Sequence, residues 1–317
     1  MSPAHNPVDV TPPDIAKWRV GDAGIEYVHS FKADAPGPHV MILAVTHGNE
    51  VCGAIAVDRL LSDGVRPRRG RLTLAFHNAA AYVRFDPKNP NATRFVDEDL
   101  NRVWSPERLD GPKKTVELER ARAMRPLIDT VDVLLDLHSM DTYAAPLLLV
   151  HGLEKERRMA KTMGYPRDII CGQGHVQGRR LIEYATFNDS KNDKTAVLVE
   201  CGQHWEKKAA DVAMDSCLYF LKALDVIDPA YITPRLTTKQ PPPQRMLEVT
   251  DGRDANTDEF RWSRPFIGLE EFPKAGTVIA MDGETPVTTP HDRCVLIMPR
   301  RVPKKGERVL RFGREVA

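Results

Sequence analysis

The sequence predicts an α/β protein with a mixed, mostly parallel sheet, followed by a small β-rich C-terminal domain. Through residue 225, short apolar runs of strand length alternate with helical patterns, as in proteins whose parallel strands are buried between helices. Beyond that point short runs are broken by Gly and Pro, which is typical of a compact β unit. A chain of 317 residues has room for about two domains.

The predicted strands of the sheet are five apolar runs. They cover residues 40–45, 72–76, 131–137, 147–150 and 196–199. Helices are predicted near residues 53–61, 116–128, 154–163 and 205–224. In the last of these, apolar residues recur at helical spacing, which predicts a stripe that faces the core.

The proline distribution predicts the domain boundaries. We expect the α/β domain to cover 1–232, a Pro-rich linker 233–245 and the small β domain 246–317. The end of the chain is basic, with seven Arg and Lys from Arg300 to Arg314 opposed only by Glu307. We interpret this tail as a solvated face of the β domain, with an anionic partner as the alternative.

Composition excludes several classes of protein. Lys and Arg number 45 against 44 Asp and Glu, so the net charge of +1 creates no global attraction to nucleic acid or to an anionic membrane. The longest apolar run, at 40–45, is far below the ~20 residues of a membrane helix. The N-terminal residues carry no secretory pattern, and the five cysteines form no CxxC pair. We therefore expect a cytoplasmic protein with no nucleic-acid or membrane partner.

Metal-ligating side chains follow three of the predicted strands. They are His47 and Glu50 after the first strand, His138 after the third and Glu200 after the fifth. Ligands bind at the carboxyl ends of parallel strands, so these side chains are expected in one crevice. Two imidazoles and one carboxylate with an open fourth position are typical of catalytic zinc sites.

Other interpretations of these residues stay open on spacing alone. An HxxE pattern occurs often by chance, and a histidine at the end of a strand is commonly a hydrogen-bonded core residue. His77 and His151 also follow apolar runs, and we interpret both as such core residues. The segment from Arg94 to Arg102 carries Asn101 and two arginines, Arg94 and Arg102, whose guanidinium groups suit a carboxylate or a carbonyl. By itself, that segment is better interpreted as a solvated salt-bridge network.

Four motifs together resemble the signature of the succinylglutamate desuccinylase/aspartoacylase family, which is related to the zinc carboxypeptidases. They are Thr46-His-Gly-Asn-Glu-Val-Cys-Gly53, Arg94-Phe-Val-Asp-Glu-Asp-Leu-Asn-Arg102, Asp136-Leu-His-Ser139 and Val199-Glu-Cys-Gly202. Their order and approximate spacing agree with the family, and the resemblance covers roughly residues 38–225. The family also carries a small β domain, which this chain matches more loosely.

The resemblance implies a zinc carboxypeptidase-like α/β/α sandwich that hydrolyses the amide of a small N-acyl amino acid with one Zn²⁺ per chain. By motif, the implied zinc ligands are His47, Glu50 and His138. Glu200 would be the general acid/base and Arg94 would polarise the scissile carbonyl. Asn101 and Arg102 would hold a substrate carboxylate.

The chain departs from the family in the loop at 172–194, before the predicted catalytic strand. An arginine that aspartoacylase uses there for substrate carboxylates is missing, and the loop offers Asp189 and Asp193 with Lys191 and Lys194. We expect the two aspartates to favour a basic or neutral amino acid. The alternative is that all four charges are solvated.

Two other functions stay open. One is a zinc carboxypeptidase that trims peptides, and the other is a catalytically silent binding protein on the same fold. An intact set of metal, base and carbonyl-polarising residues speaks against a silent protein. The acyl group, the amino acid and a homo-oligomeric state are also left open.

Overall fold

The computed structural model describes residues 6–172 and 178–316 and has an eleven-stranded mixed sheet at its centre. The strands of the first part are β1 Val28–Lys32, β2 His39–Ala44, β3 Arg71–Phe76, β4 Val133–Met140, β5 Leu147–Val150, β6 Asp168–Cys171 and β7 Thr195–Gln203. Those of the second part are β8 Arg245–Asp254, β9 Phe260–Trp262, β10 Glu271–Phe272, β11 Val278–Asp282, β12 Thr285–Thr288, β13 Cys294–Ile297 and β14 Arg308–Val316.

Helices connect these strands. They are α1 Val51–Ser62, α2 Ala79–Tyr82, α3 Pro106–Leu109, α4 Val116–Ile128, α5 Glu154–Met163, α6 Lys207–Ala223 and α7 Pro229–Ile232. Short 3₁₀ turns at Leu100–Arg102 and Leu181–Glu183 lie in the connecting segments. None of the helices in the described ranges is long and apolar enough to cross a membrane.

The large sheet has the order β1-β3-β2-β4-β7-β5-β6-β8-β14-β13-β10. Strands β3, β2, β4 and β7 run parallel, while β5 is antiparallel to β7 and parallel to β6. Strands β9, β11 and β12 form a separate antiparallel sheet. The predicted α/β fold with a mixed sheet and a small β-rich C-terminal part is therefore confirmed.

Helices cover both faces of the sheet. Alternate residues of a strand face opposite sides, and in β2 Ile42 packs in the core cluster with α1, α5 and α6, whereas Leu43 packs in the cluster with α4. All six residues of β2 are buried, as are all nine of β7. This two-sided burial explains why the apolar runs of the sequence are continuous rather than alternating.

The observed elements agree with most of the predicted ones. Helices α4 and α5 have the predicted bounds, while α1 begins at Val51 and α6 at Lys207. Strands β1 and β6 were not predicted. The large sheet continues from β6 into β8, which pair in parallel, so the second part of the chain extends the first sheet. The division at 232 and 245 stays a prediction.

Candidate metal centre and its surroundings

A tight turn after β2 carries the first two candidate ligands. The amide of Gly48 donates to the carbonyl of Arg94 at 2.9 Å, which draws two segments of the chain together. A Cβ at Gly48 would lie 2.4 Å from the carbonyl oxygen of Thr93 and 2.5 Å from the carbonyl carbon of Ala81. Such distances are too short for any side chain, so this close approach of backbones requires glycine.

Glu50 lies at the centre of the candidate site, between two imidazoles. Its Oε1 is 2.7 Å from Nδ1 of His47, and its Oε2 is 2.9 Å from Nδ1 of His138. One donor atom from each of the three residues lies within 4.8 Å of the others, and all three residues are buried. The structure thus brings together the three side chains that the sequence proposed as a metal set.

A carboxylate oxygen lies close to the outer nitrogen of each imidazole. Nε2 of His47 is 2.9 Å from Oδ1 of Asp99, and Nε2 of His138 is 2.9 Å from Oδ2 of Asp136. The Nδ1 atoms of both rings therefore face the Glu50 carboxylate, and the outer Nε2 atoms face Asp99 and Asp136. A metal-binding histidine usually has a carboxylate or another acceptor next to its second ring nitrogen, as both rings have here.

Sequence reasoning had not assigned a role to either carboxylate. Asp136 had a usable signal, because residues two apart in a strand face the same side and Asp136 precedes His138 by two. Its other oxygen, Oδ1, accepts a hydrogen bond from Oγ1 of Thr46 at 2.9 Å. Asp99 is far from His47 in sequence, so no local pattern links them.

The charges at this site are strongly coupled. Burial alone would raise the pKa of Glu50, but the imidazoles of His47 and His138 outweigh burial and hold that pKa well below its usual range. Burial alone would lower the pKa of His138, but Asp136 and Glu50 raise it well above its usual value. The cluster therefore favours a carboxylate at Glu50, which is the form that binds a cation.

Glu200 lies beside the metal set on β7. It is 8% exposed, and its Oε2 is buried with no hydrogen-bond partner among the residues that the structure describes. Burial raises the pKa of Glu200 to about 8, against the opposing effect of His138, with the Glu50 carboxylate adding to the rise. A buried carboxyl group with a free oxygen and a pKa near neutrality is suited to accepting and returning a proton.

Arg94 reaches the metal set from the loop after α2. Its Nη1 is 3.3 Å from Oε1 of Glu50, and its Nη2 is 3.2 Å from Oδ2 of Asp99. Burial alone would lower the pKa of Arg94, but Glu50 and Asp99 raise it, so the guanidinium group stays charged. The structure thus places a fixed cation beside the candidate ligands.

Asn101 and Arg102 lie next to this cluster but differ in their surroundings. Asn101 is 3% exposed, and its Oδ1 accepts a hydrogen bond from the amide of Leu181 at 2.9 Å. Its Nδ2 lies 3.5 Å from Nε2 of His138. Arg102 donates from Nη1 to the carbonyl of Asn101 at 2.7 Å, and burial lowers its pKa. Asn101 therefore joins His138 to the segment at 181, a contact that the sequence did not predict.

The two histidines interpreted as core residues lie outside the donor set. Nδ1 of His77 is 3.0 Å from Oγ1 of Thr46, and burial lowers the pKa of His77 to about 3. Nδ1 of His151 is 3.0 Å from Oε1 of Glu183. Both side chains form hydrogen bonds, as the sequence suggested, but only His77 lies in the core, because the His151 side chain is 22% exposed.

Asp189 and Asp193, which we expected to influence the choice of amino acid, are solvent-exposed, as in the alternative interpretation of this loop. Asp193 precedes the first residue of β7, which places it roughly 16 Å or more from Glu200 along the strand. Lys155 fixes the backbone of the loop at 186–192, because its Nζ donates to the carbonyls of Thr186, Asp189 and Asn192. The loop at 172–194 approaches the site instead near residue 181, and its residues 173–177 lie outside the described ranges.

Comparisons with known proteins match much of the chain to one family. Residues 36–213 match the model of the succinylglutamate desuccinylase/aspartoacylase catalytic domain. Aspartoacylase of Rattus norvegicus is 32% identical over 120 residues, which is 34% of this chain and 36% of the rat protein. Aspartoacylase of Xenopus tropicalis is 30% identical over 128 residues, or 36% of this chain. The matches span 36% to 38% of the length of these curated relatives.

Solved structures show the same fold. Succinylglutamate desuccinylase from Vibrio cholerae has a TM-score of 0.64 at 16% identity and covers 92% of this chain and 86% of its own. The succinylglutamate desuccinylase/aspartoacylase from Rhodobacter sphaeroides has a TM-score of 0.65 at 18% identity, with 92% and 90% covered. These likenesses extend the shared fold into the second part of the chain.

Proposed function

The chain belongs to the succinylglutamate desuccinylase/aspartoacylase family, and from this premise we propose that it is a zinc-dependent hydrolase of the amide bond in a small N-acyl amino acid. The observation that carries the proposal is the position of Glu50. Its two oxygens face two imidazole Nδ1 atoms, and the side chains of Arg94 and Glu200 stand next to this set. Family and geometry therefore support the same chemistry.

The residues present fit one zinc ion. Two imidazole nitrogens and a carboxylate are ligands that zinc prefers, and three protein ligands leave a position open for water or substrate. Both Nδ1 atoms face the Glu50 carboxylate, and Asp99 and Asp136 lie 2.9 Å from the outer Nε2 atoms. We propose His47, Glu50 and His138 as the ligands. A bound zinc ion lowers the pKa of water toward ~7 and polarises a carbonyl group.

Glu200 is proposed as the general acid/base. Its unpartnered Oε2 takes the proton of the attacking water and afterwards gives it to the nitrogen of the leaving amine. Amide hydrolysis requires both transfers, because an amine leaves readily only when its nitrogen has been protonated. Burial serves this cycle, since it raises the pKa of Glu200 above its usual value and so makes the carboxylate a stronger base.

Arg94 and Arg102 are proposed to bind different parts of the substrate. Arg94 donates N–H groups to the scissile carbonyl oxygen, where negative charge develops in the transition state. Arg102, whose Nε is buried with no hydrogen-bond partner among the described residues, binds the carboxylate of the amino acid. Asn101 is proposed to help bind the same carboxylate, because its backbone carbonyl accepts a hydrogen bond from Arg102 and its Nδ2 can donate to the substrate.

A substrate panel tests the proposal. The purified chain, loaded with one equivalent of zinc, is incubated with N-acetyl, N-succinyl and N-formyl amino acids, and release of the free amino acid is measured. We expect turnover of at least one compound, and turnover lost in Glu200→Gln at unchanged zinc content. Bound zinc with no turnover of any compound would contradict the proposal and favour a silent binding protein. Cleavage of C-terminal residues from peptides alone would favour a carboxypeptidase.

A further inference from the structure

A fully buried carboxylate lies outside the candidate metal set, in the first turn of α4. The side chain of Glu117 has no solvent exposure. Buried carboxylates are costly unless hydrogen bonds replace the water they lose. The groups that donate hydrogen bonds to Glu117 therefore show which segment its carboxylate holds in place.

The carboxylate of Glu117 accepts three consecutive backbone amides. Its Oε1 is 2.7 Å from the amide nitrogen of Val96, and its Oε2 is 3.0 Å from that of Asp97 and 3.2 Å from that of Glu98. Nδ2 of Asn78 donates to Oε1 at 3.1 Å. Successive backbone N–H groups that converge in this way form an anion-binding concavity, and here the anion belongs to the chain itself.

Side chains of the loop also accept hydrogen bonds from the first residues of the helix and its cap. Oδ2 of Asp97 accepts a hydrogen bond from the amide of Val116 at 2.7 Å, and Oε1 of Glu98 accepts one from Oγ1 of Thr115 at 2.7 Å. Thr115 in turn caps α4 through the amide of Leu118. The segment from 96 to 98 is thus fixed to a rigid helix at several points.

Two residues of the candidate site flank this segment. Arg94 lies two residues before it and Asp99 directly after it, and both contact His47 as well as each other. The path of the backbone between them sets the distance and angle between the Arg94 guanidinium and the Asp99 carboxylate. A change in that path would move the cation that faces the scissile carbonyl.

We propose that Glu117 is a positioning residue for hydrolysis, which fixes the backbone at 96–98 and through it the orientation of Arg94. This inference rests on the proposed function for its catalytic consequence, and its structural part stands on the hydrogen bonds alone. Glu117 acts at a distance from the substrate, through the loop. Its loss should therefore affect the transition state more than substrate binding.

Glu117→Gln tests the proposal, with Glu119→Gln as the matched control. The amide of Gln replaces one acceptor oxygen by a donor that faces backbone N–H groups, whereas the Glu119 side chain is 57% exposed and pairs with Arg122. By hydrogen exchange, we expect the amides of 96–98 to exchange about tenfold faster in Glu117→Gln than in the control. In the zinc-loaded enzyme we expect kcat to fall by about tenfold or more, with KM changed by less than about threefold.

A double variant identifies the route of the effect. In an Arg94→Ala background, adding Glu117→Gln should change kcat by less than about twofold, because the residue to be positioned is gone. If Glu117→Gln does not fold, Glu117→Asp replaces it, since the shorter carboxylate keeps the charge but not all three contacts. We expect the same pattern at smaller amplitude in that variant.

Several results would overturn the inference. Unchanged exchange at 96–98 would show that Glu117 does not hold the loop. A lower melting temperature with unchanged kcat per folded molecule would make Glu117 merely structural, and full additivity with Arg94→Ala would exclude action through Arg94. If the wild type hydrolyses no substrate, the proposed function fails, while the exchange measurement still decides whether Glu117 fixes the loop.

Discussion

Glu200 and His138 are register partners on the neighbouring parallel strands β7 and β4. Paired strands lie about 4.8 Å apart, so the sheet itself fixes the spacing between the proposed proton carrier and the proposed metal ligand. A spacing set by backbone hydrogen bonds does not depend on loop conformation. A substitution at Glu200 should therefore lower activity without loss of metal, whereas a substitution at His138 should lower metal binding and activity together. Neither should change the fold much.

Glu200→Gln tests the proposed proton carrier. Gln is nearly isosteric but cannot accept and return a proton, so we expect kcat to fall by at least ~100-fold with fold and zinc content unchanged. Steady-state kinetics and metal analysis check this, with the exposed Glu154→Gln as a control. Unchanged activity would give Glu200 a structural role, and loss of zinc would make it a ligand.

His138→Ala tests the proposed metal set. Removal of one of three ligands should lower zinc content and activity together, since two ligands hold zinc much more weakly. His151→Ala is the matched control, because His151 also follows an apolar strand but contacts Glu183. Metal analysis after dialysis measures the outcome. Equal zinc contents in the two variants would show that the metal binds elsewhere.

Arg94→Ala and Arg102→Ala should differ in which kinetic constant they change. An interaction that strengthens only in the transition state affects kcat, whereas binding of a carboxylate in the ground state affects KM. We expect Arg94→Ala to lower kcat by roughly 100-fold or more, as for other preorganised donors to a developing oxyanion, and Arg102→Ala chiefly to raise KM. The reverse pattern would exchange the two proposed roles.

Stability should fall in mild acid because of His39. Its ring is buried between Thr73 and Thr130, and burial, together with Arg71, lowers its pKa to about 4. Between pH 6.5 and pH 4 the unfolded chain takes up a proton at His39 that the folded chain does not, so the free energy of unfolding decreases as pH falls through this range. The contribution is on the order of 1–3 kcal/mol.

Urea denaturation at pH 7.0 and pH 4.5 measures this effect. His39→Gln keeps a side chain that can hydrogen-bond to the threonines but cannot titrate, so it should lose less stability than the wild type between the two values. An equal loss in the two proteins would show that other groups cause the pH dependence.

The sequence predicted the parts of the fold that bury continuous apolar runs. Helices α4 and α5 have strong periodic signals and the predicted bounds, while β7 begins one residue before the predicted run at 196–199 and extends four residues beyond it. Strand β6 has only four residues, and β1 is an edge strand with His and Ser in its centre. Such short or mixed segments carry too little pattern to distinguish a strand from a loop.

The proposed metal set was predictable because residues near the carboxyl ends of parallel strands lie at one edge of the sheet, although His138 and Glu200 lie inside β4 and β7 rather than after them. The residues that contact this metal set were harder to predict. The pairing of Asp99 with His47 depends on how the loop at 94–102 folds back, and the contact of Asn101 with Leu181 joins segments 80 residues apart. The position of Asp189 was left open for the same reason, since the path of a long loop follows from tertiary contacts such as those of Lys155.

The position of the metal ion is the measurement that tests the central claim most directly. Crystals grown with one equivalent of zinc are measured above and below the zinc absorption edge, and the anomalous difference map locates the ion. We predict one peak per chain, within bonding distance of Nδ1 of His47, a carboxylate oxygen of Glu50 and Nδ1 of His138. A peak bound by other side chains, or no peak at these three residues, would contradict the account.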